Sequence, residues 1–490
     1  MEYLYHKLRE YENRNIYPFH MPGHKRMPIA GMNCYGIDMT EIPEFDNLHH
    51  AQGILADAMR RAARLYRSEK TYYLVNGSTC GILAAISAVS KGGSIIVARN
   101  CHKSVYHGVL LNRLKAHYVY PAYQEEYHVN GGIDPQDVRK LLEEEKDVCA
   151  VLVTSPTYDG ITSDVRKIGQ IAHGYGVPLI VDEAHGALFP LDRDGCESAL
   201  DAGADLVIHS LHKTLPCLTQ TALIHLNGDL VSEKRLEHFL QIYQTSSPSY
   251  VLMAAMDECI RYMSTEGETY CERLHELRKR IGAGLEGTRM FRLMDDRIVG
   301  RDHITGLDDG KVVISCGQSG WSGAGLADAL RNRYHLQMEM AGVDYVVGIL
   351  TGMDTQEGVD RLIRAVRELD TATMGASAAM GISAAIRTSA AMRMPGAEAV
   401  SCQSLPVNRQ AMTIHEADCS RKRTIPIEQA EGCVSGEFVY AYPPGIPFVV
   451  PGEVIGSDVL RIIREGQQTG LSIEGLTDVQ GKTIQICNGK

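Results

Sequence analysis

The chain has 490 residues, 44% of them hydrophobic and 22% charged, enough for two or three domains with buried cores. Acids outnumber bases by 60 to 49, and the net charge of -11 disfavours a nucleic-acid binder. No apolar stretch approaches the roughly 20 residues that span a bilayer.

Two further features set the expected compartment. Met1 to Arg14 is charged and lacks the apolar core of a signal peptide. The 13 cysteines are scattered without a Cys-x-x-Cys pair, which reads as reduced cytosolic thiols rather than zinc ligands or disulfides. The expectation is a cytoplasmic protein with no metal site.

Strand candidates in chain order are Thr71–Val75, Ser94–Ala98, His117–Tyr120, Cys149–Thr154, Leu179–Asp182, Leu206–His209 and Thr221–Leu226. Helical patterns lie between them, among them Cys80–Ser90, Asp134–Glu145 and Ser163–His173. This alternation predicts an α/β large domain over 66–285, with a mostly parallel seven-stranded sheet covered by helices on both faces. Val312–Ser315, Gly325–Tyr334, Tyr345–Leu350 and Gln356–Leu369 read as a smaller α+β lobe over 286–370. Residues 371–404 hold 10 alanines and three charged residues, which suits a linker or weakly helical connector, although alanine also allows a packed helix. A last unit spans 405–490 and carries Tyr442-Pro443-Pro444-Gly445-Ile446-Pro447.

An acid and a lysine stand 31 residues apart, each closing its own apolar strand: Asp182 after Leu179-Ile180-Val181, and Lys213 in Ser210-Leu211-His212-Lys213-Thr214 after Leu206–His209. In a sheet of this kind ligands sit beyond the carboxyl ends of the strands. A lysine amine there can form an imine with the aldehyde of pyridoxal 5'-phosphate. A carboxylate can hold the pyridine nitrogen protonated, making the ring an electron sink. A lysine at a strand end is usually a solvated group. Here the apolar surroundings predict partial burial, a lowered pKa and a better nucleophile.

Asn76-Gly77-Ser78-Thr79 follows one strand and opens an apolar helix, offering backbone N–H groups and two hydroxyls to a phosphate. Simple N-capping by Ser78 or Thr79 explains the same turn. His102, just after the next strand, could stack on a cofactor ring, or could cap a helix at the surface. Ser210 and His212 flank the lysine closely enough to add polar contacts. Asp182-Glu183-Ala184-His185 also spells the acidic box of a helicase family, but no Gly-x-x-x-x-Gly-Lys-[Ser/Thr] loop accompanies it. Asp182 with His185, or His209 with His212, could suggest a metal. Neither pair forms a His-Glu-x-x-His helix, and strand-end positions explain them without one.

Taken together, Phe19–Lys25, Asp46–His49, Asn76–Thr79, Arg99–Ser104, Pro156–Gly160, Asp182–Gly186, Ser210–Thr214, Tyr442–Pro447 and Pro451-Gly452-Glu453 occur in an order that resembles the Orn/Lys/Arg decarboxylases. The likeness is to the short bacterial form, with the aspartate-aminotransferase-like fold (fold type I) of pyridoxal-phosphate enzymes, and covers nearly everything except 371–404.

The resemblance implies decarboxylation of a basic amino acid to agmatine or a diamine, through an external aldimine and a quinonoid, with arginine slightly favoured over lysine or ornithine. It assigns the aldimine to Lys213 and the pyridine nitrogen to Asp182. Ring stacking would fall to His102, and phosphate contacts to Gly77, Ser78, Thr79, Ser210 and His212. His185 would lie beside the cofactor, and Lys213 or His212 would protonate Cα. Glu453 is the candidate for the substrate's distal cation. Residues 1–65 would form an N-terminal segment and interface loop, 405–490 a C-terminal decarboxylase domain, and the assembly a homodimer or higher homo-oligomer with shared active sites. Alternatives are an aminotransferase or another lyase of the same fold, or a non-catalytic homologue. An aminotransferase would need an arginine clamp for the α-carboxylate. Arg331 and Arg333 read as surface residues of a helix instead.

Overall fold

The computed structural model describes residues 11, 13–42, 44–379, 405–441, 445–469, 473–478 and 480–488. The first ten residues, most of the expected connector and Tyr442–Pro444 of the proline-rich motif lie outside that set.

The apolar runs form one sheet of seven strands: β1 (Lys70–Leu74), β2 (Ser94–Ala98), β3 (Lys115–Val119), β4 (Val148–Thr154), β5 (Leu179–Asp182), β6 (Leu206–His209) and β7 (Ala222–Leu226). Their order is β1-β7-β6-β5-β4-β2-β3. Strands β2 to β6 pair in parallel, whereas β7 runs antiparallel to both β6 and β1. The reason is local. Residues 210–221 hold a single helical turn, Leu211–Thr214, so the chain folds straight back instead of crossing the sheet face.

Side chains along these strands alternate between two cores. Tyr73, Ile96, Val151, Val153, Val181, Val207 and Leu223 enter one, while Leu74, Ile95, Val97, Leu152, Ile180, Ile208 and Ile224 enter the other. Both faces are buried, so the sequence shows continuous apolar runs in place of a polar alternation. Flanking helices are α1 (Ile54–Tyr66), α2 (Gly77–Val89), α3 (Lys103–Leu111), α4 (Val165–Gly174), α5 (Glu233–Tyr243) and α6 (Tyr250–Leu285). Helices α1, α4 and α6 supply the first core, and α2, α3 and α5 the second. Helix α2 is buried on most of its surface, which explains its lack of a polar face.

The smaller lobe is an antiparallel sheet of β8 (Arg292–Leu293), β9 (Lys311–Ser315), β10 (Met340–Ala341) and β11 (Tyr345–Ile349), ordered β8-β9-β11-β10. Helices α7 (Gly323–Tyr334) and α8 (Gln356–Ala379) belong to it. Helix α8 runs past residue 370 into the alanine-rich stretch, in keeping with alanine's helix propensity. Near the N-terminus, Tyr17–Phe19 pairs in parallel with Leu336–Met338, tying the start of the chain to this lobe.

The C-terminal unit has its own core, which includes Val439, Val449, Ile455, Val459, Ile463, Ile484 and Ile486, with Ser457–Thr469 as its main helix. Among the described residues no helix is long and apolar enough to cross a membrane.

Candidate active site

A cavity of about 310 Å³ opens at the carboxyl ends of β2, β4, β5 and β6. Its walls hold Gly77, Ser78, Thr79, His102, Asp182, His185, Ser210, His212 and Lys213, so it brings together every candidate except Glu453.

Each of these side chains is placed by a strand end or helix start. Gly77 takes φ +73, a left-handed turn open to glycine at little cost, and leads straight from β1 into α2. The N-cap position belongs to Asn76, not to Ser78 or Thr79, and Asn76 gives the helix no side-chain cap. Its Oδ1 accepts instead from Thr245 N at 3.1 Å. The first turn of α2, with the Ser78 and Thr79 hydroxyls, therefore faces the cavity without a cap from Asn76.

His102 both caps and lines. Its Nδ1 accepts from Ser104 N at 3.2 Å at the start of α3, while the ring borders the cavity. Burial, followed by the charge of Lys213, pushes this imidazole down to about 3, so it is a neutral flat ring.

Asp182 ends β5, 4% exposed, and its Oδ1 accepts from Ala184 N at 3.2 Å. Burial raises its pKa, opposed chiefly by Lys213. Burial lowers the Lys213 amine to about 8, opposed by Asp182. Lys213 Nζ lies 3.1 Å from His185 Nε2. The His185 ring packs edge-on against Tyr158, with centroids 4.6 Å apart, and burial keeps it neutral. His212 Nδ1 donates to Thr221 O at 2.9 Å, which leaves Nε2 as an acceptor, and burial lowers this ring to about 4.

Four cavity-lining residues carry a buried polar atom with no hydrogen-bond partner among the described residues: Asn100 Oδ1, Thr154 Oγ1, His185 Nδ1 and Ser210 Oγ. Each such atom costs about 1–3 kcal/mol if nothing meets it. A polar, multiply charged group fits this lining, and pyridoxal phosphate is such a group. With an amine, a carboxylate and a helix N-terminus, the donor set matches what that cofactor needs.

Two acidic residues stand differently from the sequence expectation. Glu453 is fully buried away from the cavity lining, with Oε2 accepting from Arg99 Nη2 at 3.1 Å, Asn408 Nδ2 at 2.9 Å and Val450 N at 3.0 Å. Sequence reasoning missed Glu339, which is the other carboxylate besides Asp182 among the lining residues. Its Oε2 accepts from Met21 N at 2.9 Å, and its Oε1 accepts from the Tyr158 hydroxyl. A weak signal did exist: an acid stands at a polar position of the alternating stretch Leu336-Gln337-Met338-Glu339-Met340, the pattern of a half-buried strand. Nothing in the spacing, however, links it to a lysine 126 positions earlier. Met21, Asn100, Pro156, Tyr158 and Ile446 also line the cavity, although their motifs carried no assigned role.

Behind the strand ends runs a second polar row. Glu183 Oε2 is 2.7 Å from His209 Nε2, His209 Nδ1 is 3.0 Å from His225 Nε2, and His225 Nδ1 is 2.8 Å from Thr71 Oγ1. Burial raises the Glu183 carboxyl well above its usual range and lowers both imidazoles. The neutral arrangement is therefore Glu183 O–H donating to His209, and Nδ1–H of each ring donating onward. His209 is committed to this row and not to a metal beside His212. No cluster of three metal-ligating side chains occurs among the described residues.

Comparison with known proteins follows the same lines. The family model "Orn/Lys/Arg decarboxylase, major domain" matches residues 3–312, and "Orn/Lys/Arg decarboxylase, C-terminal domain" matches 398–490. The chain belongs to the Orn/Lys/Arg decarboxylase family. Its relatives in that family include an arginine decarboxylase of Bacillus anthracis, 30% identical over 99% of this chain and 96% of that protein. Another, the arginine decarboxylase of Bacillus subtilis, is 29% identical over 99% of this chain and 97% of that protein. Among solved structures, the family's fold recurs in the lysine decarboxylase LdcF of Francisella novicida, with a TM-score of 0.74 at 19% identity, over 91% of this chain and 73% of that one.

Proposed function

We propose that this chain decarboxylates arginine to agmatine and CO2, using pyridoxal 5'-phosphate held by Lys213 and Asp182. The observation that carries the reading is one cavity holding a buried amine lowered to about 8, a buried carboxylate behind it and a second carboxylate, Glu339, at its wall. Preference for arginine over lysine or ornithine rests on the relatives that match over nearly the whole chain.

When bound, the cofactor supplies an aldehyde and a protonated pyridine ring that accepts electrons. The chain's residues do the rest. Lys213 Nζ would hold the cofactor covalently, and its lowering to about 8 makes the unprotonated, nucleophilic amine far more available at neutral pH than that of an ordinary lysine. Asp182 would hold the pyridine proton, and its burial keeps water from competing. His102 presents a neutral face to the ring. Ser78, Thr79 and Ser210 would hold the phosphate, whereas His212, with only an acceptor nitrogen free, would have no proton to offer it, and His185 Nε2 orients the lysine amine. Lys213 Nζ, mostly an ammonium below about pH 8 when free, would be the group that gives a proton to Cα. His212, lowered to about 4 with Nδ1 committed to Thr221, has no proton to give at neutral pH. Glu339, in place of Glu453, binds the distal guanidinium.

Two observations oppose the aminotransferase alternative. Among the described residues no arginine lines the cavity, and Arg331 is paired with Asp328 on an exposed helix surface. The proposal extends to a cytoplasmic homodimer or higher homo-oligomer. It is supported by 12 free cysteines among the described residues and by exposed Tyr35, Ile42 and Ile54 in the N-terminal segment. The test is to incubate the holoenzyme with arginine, lysine and ornithine separately. Agmatine with CO2 from arginine is expected. Keto acid without CO2 overturns the reading.

A further inference from the structure

Arg99 and Glu453 are both fully buried, and their side chains meet at 3.1 Å. Taking two ions out of water costs several kcal/mol each, and their attraction offsets this only with excellent geometry, so stability alone does not explain the pair. What the guanidinium touches does. Nη1 donates to Pro447 O at 2.7 Å and to the Tyr106 hydroxyl at 2.9 Å, while Nη2 donates to Phe448 O at 3.3 Å and to Glu453. The Tyr106 hydroxyl returns a hydrogen bond to Arg99 O at 2.8 Å, and the guanidinium lies over the rings of Tyr106 and Tyr118.

One planar cation thus grips two consecutive carbonyls of the C-terminal unit. Directly before those carbonyls comes Ile446, which lines the cavity. One and three residues after Arg99 come Asn100 and His102, which also line it. Glu453 closes the far end by accepting from Val450 N and Asn408 Nδ2, and Asn408 Nδ2 also donates to Phe448 O at 2.7 Å.

We infer that Arg99 and Glu453 are a positioning pair that fixes Ile446, a wall of the active site, against the loop carrying His102. This rests on the decarboxylase reading for its consequence in turnover, though not for its geometry. Neither residue touches the reacting atoms. The pair sets where the C-terminal segment stands relative to His102, and so the width of the cavity that the substrate enters. Lysine cannot replace Arg99, because an ammonium is a point charge that lacks the planar fork spanning Pro447 O, Phe448 O and the carboxylate.

The test uses the holoenzyme and two variants that keep both buried charges, Arg99→Lys and Glu453→Asp, each alone and combined with Ile446→Ala. Expected are retained cofactor absorbance, a fall in kcat/KM of about tenfold or more for Arg99→Lys, and a smaller effect of Ile446→Ala in that background than in the wild type. A merely structural role would leave the Ile446 effect the same in both backgrounds, and that result overturns the inference, as does wild-type kcat/KM in Arg99→Lys. Hydrogen exchange over 446–454 provides a readout independent of turnover. Arg99→Lys and Glu453→Asp should each speed exchange at the Val450 amide, and unchanged exchange overturns the inference. If the wild type releases no CO2 while exchange responds as expected, the function has failed and the positioning pair stands.

Discussion

Glu339→Gln removes the charge at the cavity wall while leaving a side chain of the same length. Gln can still accept from Met21 N or from the Tyr158 hydroxyl, so the local fold should survive. What is lost is the charged half of a hydrogen bond to the substrate's distal cation. A hydrogen bond to a charged group contributes about 1.5–3 kcal/mol, which corresponds to a rise in KM of roughly 10- to 100-fold at about 1.4 kcal/mol per tenfold. The contact lies away from the reacting bond and should act equally in ground and transition states, so kcat should stay within about threefold. CO2 release over a range of arginine concentrations separates the two parameters. A KM within twofold of wild type, in a protein with unchanged melting temperature, would refute the assignment of Glu339.

Lys213→Ala should abolish both turnover and the imine absorbance near the cofactor band, and normal decarboxylation by the purified variant would remove Lys213 from its role. Asp182→Asn should keep the cofactor bound yet lose activity on the order of 100-fold or more, judged by kcat at saturating cofactor. In the cofactor-free protein, labelling of Lys213 by an amine-reactive probe should become half-maximal near pH 8, since burial lowers this amine to about 8 and only the unprotonated form reacts. Half-maximal labelling near the ordinary lysine value contradicts that burial argument. Glu183→Gln should be tolerated within about 1 kcal/mol, because an amide N–H can replace the carboxyl proton donated to His209, whereas Glu183→Ala should cost about 3 kcal/mol or more. Urea midpoints check the pair, and equal losses would mean that Glu183 is ionised.

The seven strands were legible because burial on both faces writes each one as an unbroken apolar run. The acid was legible because it closes an apolar strand, and the lysine because it stands just beyond the end of another. The reversal of β7 was not legible. Its direction depends on how residues 210–221 fold, and an apolar run looks the same read either way. Glu339 was hidden because its neighbours in space, Met21 and Tyr158, come from distant parts of the chain. The partners of Glu453 were hidden for a related reason. Its place in a Pro-Gly-Glu motif says that it matters, while only the fold shows its carboxylate committed to Arg99. The pairing of Tyr17–Phe19 with Leu336–Met338 joins segments far apart in the chain, beyond the reach of any local pattern.

The central claim is loss of the α-carboxylate from arginine at Lys213. Its most direct test supplies the holoenzyme with arginine carrying carbon-13 in the carboxylate and follows both products by mass spectrometry. The account predicts labelled CO2 and unlabelled agmatine in equal amounts. Label retained in a keto acid, or arginine returned unchanged while the cofactor is bound, would contradict it.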